Sequence, residues 1–202
     1  MFNSYRYRQA VVVATTMLFS ASVAGAQKAA SAKTNSKAKA VGHFKVTAPD
    51  LESKGRITAA HVFNGMGCSG QNISPTLNWS GAPAGTKSFA VTAYDPDAPT
   101  GSGWWHWVMY NIPATATGLT AGAGNNRNAP SGSQEGNTDF GTKGYGGPCP
   151  PAGDKPHHYH FKVFALKVDK LDVPGNATAA YVGYNLNANK LATATVTGLY
   201  AR

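Results

Sequence analysis

Charge is scarce in this chain. Only 13% of its 202 residues are Asp, Glu, Lys or Arg, about half the usual share, which argues against a long charged helix or a coiled coil. No segment beyond the N-terminal region is apolar for the ~20 residues that span a bilayer. There is no internal repeat, no zinc-finger spacing, no basic helix and no RNP-like strand, so a nucleic-acid-binding face is not expected. No Gly-x-Ser-x-Gly elbow and no His-Glu-x-x-His motif occurs, so a nucleophilic hydrolase or a zincin has no local support. Gly65-x-Gly67-x-x-Gly70 matches the dinucleotide fingerprint by letter, but Gln71-Asn72-Ile73-Ser74-Pro75 follows it. No helix N-terminus would meet a phosphate there.

Glycine (23) and proline (12) are plentiful, and the hydrophobic share is 42%. This is a turn-rich composition of one ordinary domain, best met by many short strands. The net charge of +9 is concentrated at the start. Arg6 and Arg8, then Lys28, Lys33, Lys37 and Lys39, supply six of the positive charges. Residues 1–26 read as a signal peptide: a basic start, the apolar stretch Ala10–Phe19, and the small-x-small pattern Ala24-Gly25-Ala26. Residues 27–42 read as a disordered basic linker, and residues 43–202 as the mature domain. Export implies a periplasmic or secreted location. In that oxidising setting the even pair Cys68 and Cys149 favours one disulfide; the alternative is a thiol at Cys149, hemmed in by prolines.

Within the domain, Phe44–Thr47 and Ile57–Phe63 read as short strands. Ser88–Asp95, Trp105–Ile112, His157–Leu166 and Ala192–Tyr200 read as longer ones. Odd positions of His157–Leu166 place His157, Tyr159, Phe161 and Val163 on one face; even positions place His158, His160 and Lys162 on the other. Residues 96–103 form a Pro/Gly loop. Residues 113–155 form a long loop of the kind that carries function. Asn176–Leu191 shows helical spacing through Ala180, Tyr184 and Asn187. With no βαβ rhythm, the fold class is mainly β: two packed antiparallel sheets with one or two short helices, one near the C-terminus.

Three segments concentrate polar chemistry at predicted strand ends: Asp95–Pro99, Trp104–Trp107, and Gly146–Gly153 running into His157–His160. If they converge, histidines and glycine-loop N–H groups can hold an oxyanion, and acids can keep the histidines protonated. Each piece has an ordinary alternative. Asp95 can cap a turn, the tryptophans can pack, and His106 can be a satisfied core histidine. His158 and His160 share a strand face, but without a carboxylate or cysteine at set spacing no metal site is expected. His43 and His61 are read as structural.

These segments closely resemble the phosphatidylethanolamine-binding protein (PEBP) family, in its bacterial YbhB/YbcL-type, Raf-kinase-inhibitor-like branch. The likeness also covers Phe63–Gly67, Ser74-Pro75, Pro83–Phe89 and Val182-Gly183-Tyr184, and runs from about His43 to Tyr200. The resemblance implies a PEBP-like β fold with an anion pocket at one end. That pocket takes phosphate, phosphoryl head groups or small carboxylates and requires neither metal nor cofactor. Carried over, its ligand-binding residues are Asp95, Asp97, Pro99, Trp104, His106, Gly147, Pro151, His157 and Tyr159. His106 and His157 are expected to face the anion, Tyr159 to donate its hydroxyl, Asp95 to orient a histidine, and Asp97 to stabilise the loop. Trp105 stands where eukaryotic relatives often carry another histidine, and Cys149 where they commonly have glycine. The expected partner is a small anionic ligand, with no catalytic residue and no enzyme activity. A protein-interaction module that inhibits a protease or other enzyme, and a weak hydrolase using a pocket histidine, are the rival readings. Bacterial relatives imply a homodimer.

Overall fold

The computed structural model describes residues 43–125 and 127–202. The expected signal peptide (1–26) and linker (27–42) lie outside the described residues.

Among the described residues ten strands and one α-helix follow in chain order: β1 (Lys45–Thr47), β2 (Asn64–Gly65), β3 (Cys68–Ser69), β4 (Leu77–Ser80), β5 (Ser88–Asp95), β6 (Trp104–Pro113), β7 (Gly118–Leu119), β8 (Gln134–Glu135), β9 (His157–Leu166), α1 (Ala179–Asn189) and β10 (Lys190–Tyr200). All strand pairings are antiparallel. The main sheet has the order β10-β9-β5-β6-β8; a three-stranded sheet has the order β1-β4-β7; β2 and β3 form a small hairpin.

The near-continuous apolar run Ser88–Asp95 lies at the centre of the main sheet and is buried on both faces. On one face Phe89, Val91 and Ala93 pack with Trp107, Met109, Phe161 and Val163 against Phe44, Leu77 and Trp79, which belong to the first strands of the chain and the three-stranded sheet. On the other face Ala90, Val108, Tyr110 and Phe164 pack against Val182 and Leu186 of α1. The two-sheet expectation therefore holds, with α1 covering the outer face of the larger sheet.

The Thr178 side chain caps α1 by accepting the Tyr181 N–H at 3.2 Å. Its buried stripe is Ala179, Val182, Gly183 and Leu186, at the i, i+3, i+4, i+7 spacing of a core-facing helix. The Ala180–Tyr184–Asn187 line that carries the helical spacing is its solvent face. One correction concerns Ile57–Phe63, which is a series of turns rather than a strand. Its backbone groups bond across a loop, with Gln71 N–H donating to Ala59 O and Ile73 N–H to Ala60 O. The long segment 113–155 holds β7, β8 and a short 3-10 turn at Ala123–Asn125.

Two irregularities occur in β6, and the first shapes the site. Ala93 pairs with Trp107 and Tyr94 with Trp105, so one extra residue is inserted in β6 at this point. Such a bulge re-aims side chains. Trp105 packs toward the α1 side, while Trp107 joins the opposite core and His106 faces a cavity on that same side. A second shift separates the Phe89–Ile112 and Val91–Met109 pairs. There Asn111 takes a left-handed φ of 58°, and its carboxamide oxygen accepts the Leu171 N–H at 2.7 Å.

Candidate functional site

Ends of the three central main-sheet strands converge on one side: the last residue of β5, the first of β6 and the first of β9. Between them lies a cavity of about 340 Å³ whose wall includes Asp95, Pro99, Trp104, His106, Pro151, His157 and Tyr159. Seven of the nine sequence-predicted ligand residues therefore share one cavity. The two imidazoles flank the Tyr159 ring, with centroid separations of 5.1 Å for His106 and 6.4 Å for His157.

Asp95 does two things at once. One carboxylate oxygen accepts the Asp97 N–H at 2.8 Å and closes the turn after β5. The other accepts from His157 Nδ1 at 2.8 Å, both side chains being almost fully buried. Burial alone would pull the His157 imidazolium down. The Asp95 hydrogen bond and charge, with smaller help from Asp154 and Asp97, outweigh it and raise the pKa above the ordinary histidine value. With Nδ1–H committed to Asp95, Nε2 is the free end of the cation. It lies 3.4 Å from the carboxylate of Asp154, a half-exposed side chain.

His106 is the opposite case. Its Nδ1 meets the Gly146 carbonyl at 2.7 Å, and Gly146 N–H returns a bond of 2.9 Å to His106 O. The ring sits edge-on to Phe140 and Tyr159. Burial dominates and pushes the His106 pKa down to about 4, against the opposing pull of the Gly146 carbonyl and the Asp95 charge. Acids therefore favour the protonated form of His157, whereas at His106, contrary to expectation, burial disfavours it. Desolvation outweighs a carboxylate that does not touch the ring.

Tyr159 is 1% exposed and its hydroxyl has no hydrogen-bond partner. Burial, then the Asp95 charge, raise its pKa, so the phenol stays neutral.

Two predicted ligand residues stand outside the wall. Asp97 directs its carboxylate to β9, accepting the His158 backbone N–H at 2.7 Å and meeting His158 Nδ1 at 2.8 Å. Those two bonds lower its pKa and clamp the loop, the role expected for it. Gly147 supplies fit rather than a donor. Its N–H goes to Asn72 Oδ1 at 2.7 Å, and a Cβ there would stand 2.1 Å from His61 O. The glycine-loop N–H groups at 146 and 147 are thus spent within the protein and do not offer the oxyanion donors expected of them. His158 and His160 are likewise engaged, with Asp97 and with the Thr197 hydroxyl. Among the described residues no group of three or more His, Cys, Asp or Glu side chains could hold a metal ion.

The sequence reading missed several wall residues: Met66, Ala98, Thr100, Phe140, Pro150 and Arg202. Phe140 is held by its neighbour Asp139, whose carboxylate accepts the Trp105 N–H at 2.7 Å. Arg202 donates from Nε to Pro150 O at 2.6 Å and from Nη1 to Gly67 O at 2.9 Å. No local pattern announces a contact across 135 residues. Cys68 and Cys149 form a disulfide, with Cα atoms 6.0 Å apart and a sequence separation of 81. It ties the β2–β3 hairpin to the cavity wall.

The phosphatidylethanolamine-binding protein family model matches residues 47–201. The chain is 58% identical to the UPF0098 protein YbcL of Escherichia coli (strain K12) over 159 residues, 78% of this chain and 87% of that protein. It is 49% identical to the UPF0098 protein YbhB of the same organism, over 78% of this chain and all of that one. The crystal structure of E. coli YbcL, described as a member of the mammalian PEBP family, matches with a TM-score of 0.76, covering 79% of this chain and 98% of that chain. A PEBP homologue from Chlamydia trachomatis matches with a TM-score of 0.66 at 28% identity, over 79% and 97% of the two chains. Among the described residues no helix is long and apolar enough to cross a membrane.

Proposed function

Since the chain belongs to the phosphatidylethanolamine-binding protein family, we propose that it binds a small anion, such as phosphate, a phosphoryl head group or a small carboxylate, in the cavity where β5, β6 and β9 end. The buried Asp95–His157 pair carries this reading. A buried carboxylate that raises the pKa of an imidazole fixes both its charge and its direction. The unpartnered Tyr159 hydroxyl adds a second group of the right kind. Aromatic rings and prolines wall the cavity and limit water around them, which strengthens each charge-assisted bond.

The action is binding without turnover. Cys149, the one cysteine in the wall, is joined to Cys68, so it offers no thiolate nucleophile. That disulfide also supports export to the periplasm or beyond.

Calorimetric titration with inorganic phosphate and with phosphorylethanolamine tests the proposal. The intact protein binds, and His157→Ala binds more weakly while keeping its near-UV spectrum. Equal affinity in the two proteins would remove the site assignment. Capture of a protein partner from periplasmic extract that is indifferent to competing phosphate would favour the interaction-module reading.

A further inference from the structure

The two imidazoles in the cavity wall present opposite hydrogen-bonding ends. Gly146 O is a carbonyl and can only accept, so at 2.7 Å the His106 Nδ1 must carry the hydrogen. The return bond from Gly146 N–H to His106 O holds the two residues face to face, and the Phe140 and Tyr159 rings pack edge-on against the imidazole. This fixes the ring's orientation and its tautomer. The residue is 4% exposed and no carboxylate touches it, so the imidazole is neutral. Its Nε2 is then a bare lone pair in the cavity wall. Across the Tyr159 ring, His157 has the reverse polarity. Its Nδ1–H is held by Asp95, and its Nε2–H is a cationic donor. The Tyr159 hydroxyl is buried and unpartnered.

We propose that the cavity selects an oxyanion that still carries a proton over one that carries none, because it sets one fixed acceptor, His106 Nε2, beside two donors, His157 Nε2 and Tyr159 Oη. This deepens the anion-binding reading and rests on it. An anion without a proton places an oxygen lone pair against the His106 lone pair, and a buried acceptor is left unpaired. Hydrogen phosphate presents P–OH to His106 and bare oxygens to the donors, so every group is matched. Sulfate has the same shape and no proton at neutral pH. Discrimination through an unpaired buried polar group is stronger than discrimination by size.

Inorganic phosphate, methyl phosphate and sulfate are titrated into the full mature protein at pH 7 and constant ionic strength. Phosphate binds at least about tenfold tighter than sulfate, the range expected of one unsatisfied buried acceptor. Methyl phosphate is mostly an unprotonated dianion at pH 7 and binds there more weakly than phosphate. At pH 5.5, where it carries one P–OH, binding as tight as phosphate identifies a monoester source and phosphate alone identifies the free ion, whereas equal binding of the two at pH 7 overturns the selection. His106→Gln replaces the fixed acceptor by an amide that can turn its NH2 to the ligand. That variant binds phosphate and prefers it to sulfate by about twofold or less. Nitrogen NMR of the unmutated protein gives a second readout that does not depend on the variant folding: His106 Nε2 keeps the signature of an unprotonated nitrogen, free and with phosphate. Equal binding of sulfate and phosphate, or a protonated Nε2, overturns the selection while leaving anion binding intact. Failure of all three anions to bind overturns the anion reading itself.

Discussion

The Asp95 carboxylate and the His157 imidazole meet at 2.8 Å with at most 5% of either side chain exposed. Asp95 ends β5 and His157 begins β9, so the pair exists only because these antiparallel neighbours stop together at one end of the sheet. The first oxygen of the same carboxylate closes the turn into residues 96–103. Fold and site are joined through one side chain.

Asp95→Asn keeps a hydrogen-bond acceptor but removes the charge that raises His157. Burial, the opposing effect, is then countered only by the smaller contributions of Asp154 and Asp97, and the His157 pKa falls. Phosphate affinity at pH 7 drops by about tenfold or more, one pKa unit being about 1.4 kcal/mol. Affinity partly returns as the pH is lowered and His157 takes up its proton. Histidine NMR titration alongside calorimetry checks both halves.

Asp154 lies 3.4 Å from His157 Nε2 and is half exposed. It competes with an incoming anion for that donor. Asp154→Asn removes the competing charge, while Asp95 continues to hold His157 protonated. Phosphate binds severalfold tighter in the variant. Unchanged or weaker binding would mean that ligand does not approach Nε2.

The disulfide closes a loop of 81 residues. The chain-entropy model gives about 4–5 kcal/mol for a loop of that length. Cys68→Ser with Cys149→Ser shifts the urea midpoint down by a corresponding amount and loosens the hairpin that carries Met66 to the cavity rim. Phosphate affinity falls in the same variant, by less than for Asp95→Asn.

Glu135 is buried beside Trp107, whose indole N–H donates to its carboxyl oxygens at 3.1 and 3.3 Å. Burial, only partly opposed by that N–H, pushes its pKa up to about 8. A carboxyl with a folded value above its unfolded one favours the folded state fully below about pH 4.5, and that contribution is lost as the pH rises through about 8. Glu135→Gln abolishes the loss. The variant is more stable than the parent at pH 8.5 by about 2–4 kcal/mol and near parity at pH 4.5. Denaturant melts at the two pH values read this directly.

How much of this was legible beforehand depends on the reach of each contact. β5 and β9 match their expected ranges because both are long apolar runs bounded by turn residues. β4 was overlooked because Leu77–Ser80 offers only two apolar positions, Leu77 and Trp79, alternating with Asn78 and Ser80. Ile57–Phe63 was misread because its apolar residues serve a looped segment whose backbone partners lie between Ala59 and Ile73. In the site, clustered polar residues at strand ends marked the segments, and the family resemblance they carry identified seven wall positions. The division of labour among them was hidden. Whether Asp95 or Asp97 reaches a pocket histidine depends on strand register. The neutral state of His106 depends on a carbonyl 40 residues away, and Arg202 is brought in by bonds to Gly67 and Pro150.

A crystal of the mature protein grown in phosphate tests the central claim most directly. The account predicts tetrahedral density in the cavity, with one oxygen within about 2.7–3.2 Å of His157 Nε2 and another within reach of the Tyr159 hydroxyl. A cavity holding only water at saturating phosphate, with His157 Nε2 still turned to Asp154, would contradict it.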